Sequence, residues 1–350
     1  MKYLNSKLKN LVPYVPGEQP ADMDRLMKLN TNECPFPPSP KVIEAVNAEA
    51  VSRLRLYSDP TCRKLVEAIA AFEDVKPENI FAGNGSDEIL SFVFHGFCEN
   101  GAAFADITYG LYPVLCQMFG VAGTVVPLKD GFSLDPADYA DLSETVVIAN
   151  PNAPTGMALP LDGIRKLMKP GRLTVVDEAY VDFGADSAVE LLKEYDNLLV
   201  VKTFSKSRSL AGGRIGYAVG SKELIADLNM LKYSFNPYNI NSLSIIAGVE
   251  AVKDVEYFEE CRAKIIQNRE MLTAGLRELG FTVLDSKANF VFAKPSGMSG
   301  KECFDALREN GILVRRFDKP RINDFLRITV GDEAQTAKFL ETMRKIVRKG

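Results

Sequence analysis

Between about Pro40 and Asn236, short unbroken apolar runs alternate with segments of helical period. The runs are Ala102–Asp106, Val146–Asn150, Leu173–Asp177, Leu198–Thr203 and Ile215–Val219. Several are apolar throughout rather than at every second position, the pattern of strands covered by helices on both faces. Intervening segments such as Cys62–Glu73 place Leu65, Ile69 and Phe72 on one helical face. This alternation predicts an α/β domain with a mostly parallel sheet. After Pro237 the texture changes. A long helical stretch, Ser242–Leu279, precedes apolar runs at Phe281–Leu284, Phe290–Ala293, Ile312–Arg315 and Leu326–Val330, with a helix near Lys301–Asn310. That second part reads as a smaller α+β domain. The Pro- and Asn-rich opening reads as an extended arm, giving the expected division 1–40, 41–236 and 237–350.

Composition removes several classes of function. Lysine and arginine number 42 against 46 acids, a net charge of −4, without the basic excess expected of a nucleic-acid binder. None of the six cysteines forms a C-x-x-C pair, and the one histidine, His95, leaves little to build a metal site. We expect reduced, packed thiols, no metal, and a packed or edge position for His95. The first twenty residues lack the apolar core of a signal peptide, and no run is long enough to span a membrane. The expected setting is the cytoplasm.

Four stretches can carry chemistry. In Val200–Gly216, VVKTFSKSRSLAGGRIG, Lys206 follows an apolar strand among small and hydroxyl residues, with Arg214 eight positions on. A lysine amine there can form an imine with a carbonyl, and small residues allow close approach to a phosphate. The segment alone fits a solvated polar loop equally well. Leu173–Phe183, LTVVDEAYVDF, puts Asp177 at the carboxyl end of a strand, where open α/β sheets collect ligands. An Asp that caps the next turn is as common. Phe81–Leu90, FAGNGSDEIL, is a Gly-rich turn opening a helix, whose first N–H groups suit a phosphate, although Ser86 could simply cap it and Asp87 and Glu88 would compete with an anion. Asn150–Gly156, NPNAPTG, is a turn-forming cluster. Arg315, Arg316, Arg321 and Arg327 crowd one stretch near the end and could clamp an anion.

Taken in order, these stretches resemble the pyridoxal phosphate (PLP)-dependent aminotransferases of the aspartate-aminotransferase fold, and among them the histidinol-phosphate aminotransferases. The resemblance runs through LVPYVPG (11–17), KLNTNECP (28–35), YSDP (57–60), GNGSDE (83–88), TYGLY (108–112), NPNAPTG, VDEAY (176–180), TFSKS (203–207), GGRIGY (212–217) and FLRITVG (325–331). It implies a large PLP-binding domain with a seven-stranded sheet and a smaller α+β domain. It implies that Lys206 forms the imine and shuttles the proton. Asp177 matches the partner of the pyridine nitrogen, Tyr180 the donor to the ring oxygen, and Tyr109 the ring-stacking aromatic. Ser205, Arg214 and the N–H groups of Gly85 and Ser86 match the phosphate holders. Tyr57 resembles a tyrosine that reaches the neighbouring subunit's cofactor, which implies a homodimer with shared sites. Arg327, with Arg315 as a second candidate, matches the receiver of the substrate's acidic group, while Tyr14 and Asn32 line the substrate pocket.

One departure stands out. The usual motif ends Asn-Pro-Thr-Gly, and that asparagine donates to the ring oxygen; here Ala153 precedes Pro154. Either Asn152 takes the role through a shifted turn, or Tyr180 carries it alone. The implied reaction moves an amino group from L-histidinol phosphate to 2-oxoglutarate, both small molecules. Alternatives on the same scaffold are an aromatic amino acid aminotransferase, a threonine-phosphate decarboxylase, and a PLP-fold protein without activity. The last is disfavoured because Lys206, Asp177, Tyr180 and Arg214 are all present.

Overall fold

The computed structural model describes residues 3–20 and 26–349. A short strand β1 (Met27–Lys28) and helices α1 (Pro40–Ala45), α2 (Ala48–Ser52) and α3 (Arg63–Phe72) lead into the main sheet. Its strands are β2 (Ile80–Gly83), β3 (Ala102–Ala105), β4 (Gly123–Val126), β5 (Thr145–Ala149), β6 (Thr174–Asp177), β7 (Leu198–Thr203) and β8 (Gly216–Gly220). Helices α4 (Ser86–Gly96), α5 (Leu111–Phe119) and α6 (Leu161–Leu167) lie between them in sequence. The strand order is β2-β8-β7-β6-β5-β3-β4, parallel from β7 to β4, with β8 antiparallel to both its neighbours.

All five apolar runs become strands of this sheet. Two strands lie outside those runs. Strand β2, apolar and buried throughout, runs straight into the Gly-rich turn and reads as part of it, and the edge strand β4 is partly exposed and does not read as a continuous apolar run. The register sets the site. Asp177 ends β6 opposite Ala149 of β5 and Val201 of β7, so three adjacent carboxyl ends open on one edge of the sheet, the usual place for a ligand in such sheets.

Helix α7 (Lys222–Phe235) is followed by α8 (Ser242–Lys253) and α9 (Val255–Glu278). The single helix expected over Ser242–Leu279 is therefore broken, at Asp254, whose ψ of 67° leaves the helical region. Its carboxylate takes Lys41 Nζ at 2.8 Å and the Ser39 hydroxyl. Helix α8 packs its Ala247, Val249 and Val252 into the cluster containing Val42, Leu65 and Ile69. Gly248 permits this closeness, since a Cβ there would meet Leu65 Cδ1 at 2.8 Å. Packing thus keeps α8 with the main sheet, and we propose the division at Asp254 rather than at Asn236–Pro237.

Beyond α9 come β9 (Thr282–Val283), β10 (Phe290–Lys294), α10 (Gly300–Glu309), β11 (Ile312–Leu313), β12 (Arg315–Arg316), β13 (Leu326–Thr329) and α11 (Glu333–Lys349). Four of the strands form an antiparallel sheet in the order β12-β13-β10-β9. Its core joins Ile265, Leu272 and Leu276 of α9 to Val291, Ile328, Phe339 and Met343. The expected arm, 1–40, is only partly extended chain. Residues 1–2 and 21–25 lie outside the described residues, and Met27–Lys28 pair in parallel with Ile312–Leu313.

Where the main sheet meets α4, Gly216 allows contact that no side chain permits: a Cβ there would sit 2.4 Å from Ser86 N and 2.5 Å from Gly85 C. Gly216→Ala is therefore expected to destabilise the chain by about 1–3 kcal/mol through overpacking against backbone. Urea unfolding measures this, and an unchanged midpoint would contradict the seating of α4 on β8.

Candidate active site

Asp177 is buried at the end of β6, 4% exposed. Its Oδ2 accepts the Tyr112 hydroxyl at 2.9 Å, while Oδ1 has no partner among the described residues. Burial pushes its pKa up to about 6 against the pull of the Tyr112 hydrogen bond. A buried acceptor aimed at no donor is costly. It marks a place for a cationic N–H.

Lys206 lies on the turn after β7. Its Nζ donates to the carbonyl of Thr31 at 3.2 Å and sits 5.8 Å from the Tyr180 ring centroid. Burial, then the charge of Arg327, lowers its pKa to about 8, with Glu33 and Asp87 opposing. The amine thus gives up its proton more readily than an ordinary lysine, as suits a nucleophile or base.

A small cradle stands beside it. Gly85, at φ +80°, precedes the first turn of α4, and a Cβ there would meet the Arg214 guanidinium at 2.7 Å. Arg214, itself at φ 49°, reaches Ser205 Oγ at 3.4 Å and Asp87 Oδ2 at 3.4 Å. Tyr109 donates to Asp87 Oδ1 at 3.0 Å. Glu88 turns aside to Asn84 N at 2.7 Å and Asn239 Nδ2 at 2.6 Å. The Gly85 N–H donates to Gly83 O at 2.9 Å. That corrects the expectation that Gly85 offers its amide to an anion: its contribution is the space it leaves, and Ser86 supplies the helix-start N–H.

The opposite end of the cleft is cationic. Arg327, on β13, donates to the carbonyl of Asn30 at 3.0 Å, while its buried Nε has no partner among the described residues. It lies over the rings of Phe290 and Phe317, at 5.4 and 5.5 Å. Arg315 donates to the carbonyls of Pro16 and Val15, each at 2.9 Å. Tyr14 meets Tyr109 edge-on at 5.7 Å, and Asn32 Nδ2 donates to the Tyr180 hydroxyl at 3.0 Å.

Tyr14, Asn32, Ser86, Tyr109, Asp177, Tyr180, Ser205, Lys206, Arg214, Arg315 and Arg327 line one cavity of about 420 Å³. Besides Gly85, two expected residues do not. Asn152 commits its amide to Ile107 O at 2.9 Å and Thr155 Oγ1 at 3.0 Å and lines a neighbouring hollow; Ala153 lines the cleft instead, packed with Ala288 and Phe290. The shifted-turn expectation for Asn152 is therefore corrected: its donors are spent on holding its own loop. Tyr57 is 84% exposed and stacks on Tyr238 at 4.5 Å, away from this cavity. His95 lies exposed against Phe119, and no cluster of metal-ligating side chains occurs among the described residues. Sequence reading missed Tyr112 and Asp87. Both sit inside quoted motifs, and only the fold shows that their polar atoms meet Asp177 and Tyr109.

A family model described as aminotransferase class I and II matches residues 24–343. The chain belongs to this family. Among curated relatives, this aminotransferase is 50% identical to "Histidinol-phosphate aminotransferase 1" of Bradyrhizobium diazoefficiens, over 99% of each chain. It is 48% identical to a histidinol-phosphate aminotransferase of Acinetobacter baumannii, over 99% of this chain and 97% of that one. Among solved structures it is similar to the histidinol-phosphate aminotransferase of Clostridium acetobutylicum, with TM-score 0.86, 26% identity and coverage of 93% and 100%. The Sinorhizobium meliloti enzyme in complex with pyridoxal-5'-phosphate shares the fold, with TM-score 0.88, 24% identity and coverage of 100% and 98%.

Class I and II aminotransferases depend on PLP. The residues present fit that group. The unpaired Oδ1 of Asp177 suits a ring N–H, Ser86 N–H with Ser205 and Arg214 suits a phosphate, and Lys206 offers an amine between them.

The raised pKa of Asp177 has a stability consequence in the cofactor-free chain. The neutral carboxyl is favoured in the folded state, so its stabilising contribution is full below the ordinary carboxylate range and is lost as pH rises through about 6. Asp177→Asn should remove this loss and make the cofactor-free chain more stable than wild type at pH 8 by roughly 2–3 kcal/mol. Denaturant melts of both proteins at pH 4 and pH 8 check it; parallel pH dependences would refute it.

Proposed function

We propose that this chain is a histidinol-phosphate aminotransferase, exchanging an amino group between L-histidinol phosphate and 2-oxoglutarate to give imidazole acetol phosphate and glutamate in histidine biosynthesis. The observation that carries the reading is near-50% identity, end to end, to relatives bearing that name. The aromatic aminotransferase and the threonine-phosphate decarboxylase are not favoured by it.

When bound, PLP supplies an aldehyde carbon that accepts amines and a ring that draws electrons from the substrate carbon. The chain's own residues do the rest. Asp177 Oδ1 accepts the ring N–H and keeps the ring nitrogen protonated. Tyr112, donating to Oδ2, fixes the carboxylate plane. Lys206 Nζ would hold and move the proton of the substrate α-carbon, a transfer for which an amine with a pKa lowered to about 8 is suited. Tyr180 would donate to the ring oxygen, and Ala153, which lines the cleft, has no amide to share that task. Tyr109 would pack on the ring, and Ser86, Ser205 and Arg214 would hold the phosphate.

Arg327 receives the substrate's anion. Histidinol phosphate has no carboxylate, so its phosphate and the distal carboxylate of 2-oxoglutarate take the same seat in alternate half-reactions. A guanidinium can fork onto either group. Arg315, already holding Val15 and Pro16, keeps Tyr14 and the arm over that seat.

The active form is a homodimer with shared sites. Support comes from Tyr57, which is exposed together with Ile43, Leu54, Leu56, Phe235 and Tyr238. An apolar surface of this kind is usually covered, and Tyr57 then reaches the partner's cofactor phosphate. No helix among the described residues is long and apolar enough to cross a membrane, and a cytoplasmic setting suits substrates that are internal metabolites.

A donor panel with 2-oxoglutarate, read as glutamate formed, tests the reaction: histidinol phosphate should be preferred over phenylalanine, and the reverse order or carbon dioxide release would overturn the assignment. Lys206→Ala should lose at least about 10³-fold in turnover while remaining folded. Arg327→Ala should raise KM for both histidinol phosphate and 2-oxoglutarate by about 10- to 100-fold, the worth of a charged hydrogen bond; a change for one substrate only would contradict the shared seat.

A further inference from the structure

Three side chains of the cleft rest on one short loop near the start of the chain. Arg327 donates to the carbonyl of Asn30 at 3.0 Å, Lys206 Nζ to the carbonyl of Thr31 at 3.2 Å, and Asn32 Nδ2 to the hydroxyl of Tyr180 at 3.0 Å. These partners are 297, 175 and 148 residues away in sequence. The loop is also stitched to the small sheet: Asn32 N–H donates to Thr329 Oγ1 at 3.0 Å, and Asn289 Nδ2 donates to Asn32 O at 2.9 Å. Asn32 itself stands at φ 57°, in the left-handed region, a conformation that persists only where the surroundings enforce it.

Thr329 and Asn289 hold Asn32 itself, and a ring of three side chains closes the base of the loop. Lys28 and Glu33 stand at its two ends and form an ion pair, with the Lys28 side chain only 8% exposed. Lys28 Nζ also donates to Thr31 Oγ1 at 2.7 Å, and Thr31 Oγ1 donates to Glu33 Oε2 at 2.6 Å. Gly17 backs the ring closely, since a Cβ there would meet Thr31 Cγ2 at 2.4 Å. The reacting amine and the anion receiver do not touch Lys28 or Glu33 directly. They touch the carbonyls that this ring holds in place.

We propose that the Lys28–Glu33 ion pair, bridged by Thr31, is the positioning clamp of the active site: it fixes the loop Asn30–Asn32 so that Lys206, Tyr180 and Arg327 are aligned as one unit across both parts of the chain. Lys28 and Glu33 are positioning residues, acting through backbone carbonyls and through Asn32, and Glu33, which lines the cleft, also acts on Lys206 through its charge. Releasing the clamp loosens all three partners together, and misplacing reacting groups by about 1 Å costs on the order of 10²-fold in rate.

The inference rests on the aminotransferase reading, so wild-type holoenzyme is the reference: if wild type neither binds PLP nor transaminates, that reading fails, and if wild type works while the variants below are normal, only the clamp fails. Glu33→Gln, Lys28→Met and Lys28→Arg are prepared with PLP. The measurements are kcat, the KM of donor and of 2-oxoglutarate, the absorbance spectrum and dissociation constant of bound PLP, and the thermal midpoint. The clamp predicts that Lys28→Met and Glu33→Gln lower kcat by about 10- to 100-fold, raise both KM values, and shift the absorbance spectrum of bound PLP. It predicts that Lys28→Arg restores most of each. A purely structural role gives a lower thermal midpoint with normal constants per folded site, and that overturns the proposal. So does a defect confined to one of the three functions. If Lys28→Met fails to fold, Thr31→Val, which removes the bridge and leaves the Glu33 charge facing Lys206 in place, decides between the two outcomes.

Discussion

The site depends on a carboxylate that the fold buries and leaves half satisfied. Asp177 is held at the end of a central strand, with Tyr112 on one oxygen and no donor on the other. An unpaired buried acceptor costs about 1–3 kcal/mol, and burial also raises the group's pKa. Such a group persists where function needs it, and under the proposed function its free oxygen would meet a protonated ring nitrogen. The parallel sheet makes the position rigid. Val147, Val175 and Val201, beneath and beside it, are fully buried. On the other face, Glu178 follows Asp177 and joins Lys202, which is bonded to Glu73 at 2.9 Å. That buried ion cluster ties the end of β6 to β7, the strand that leads to Lys206.

Around this fixed point the rest of the chain supplies groups from remote positions. The cradle comes from the start of α4 and the turn before β8, the amine from the turn after β7, and the anion receiver from the small sheet. The hydrogen bonds among them run through the loop Asn30–Asn32. A chain that must hold groups nearly 300 residues apart in register gains precision by tying them to one short, doubly anchored segment.

Much of this is legible in the sequence alone. Continuous apolar runs give away five strands because a strand with both faces covered has no polar alternation to hide it. The misses have other causes: β4 is a partly exposed edge, and β2 passes without a break into the Gly-rich turn it feeds. The break at Asp254 is invisible there because apolar periodicity continues on both sides of it, and the stop comes from ψ and from tertiary bonds to Ser39 and Lys41. In the cleft, motif order locates Lys206, Asp177, Tyr180, Arg214 and Arg327. Sequence position does not say which way an amide points, hence the wrong role expected of Asn152, nor that Gly85 spends its N–H locally. Tyr112, Thr31 and Glu33 act through contacts between distant segments, which no local pattern encodes.

The central claim is that the amine of Lys206 and the free oxygen of Asp177 together hold PLP. The direct test is to load the purified chain with PLP, reduce with borohydride, and map the cofactor's mass by peptide mass spectrometry in wild type and Asp177→Asn. The account predicts one cofactor per chain, on the Lys206 peptide, with clearly lower occupancy in Asp177→Asn at limiting PLP. Mass on another lysine, or none at all, would contradict it, as would equal occupancy in the two proteins.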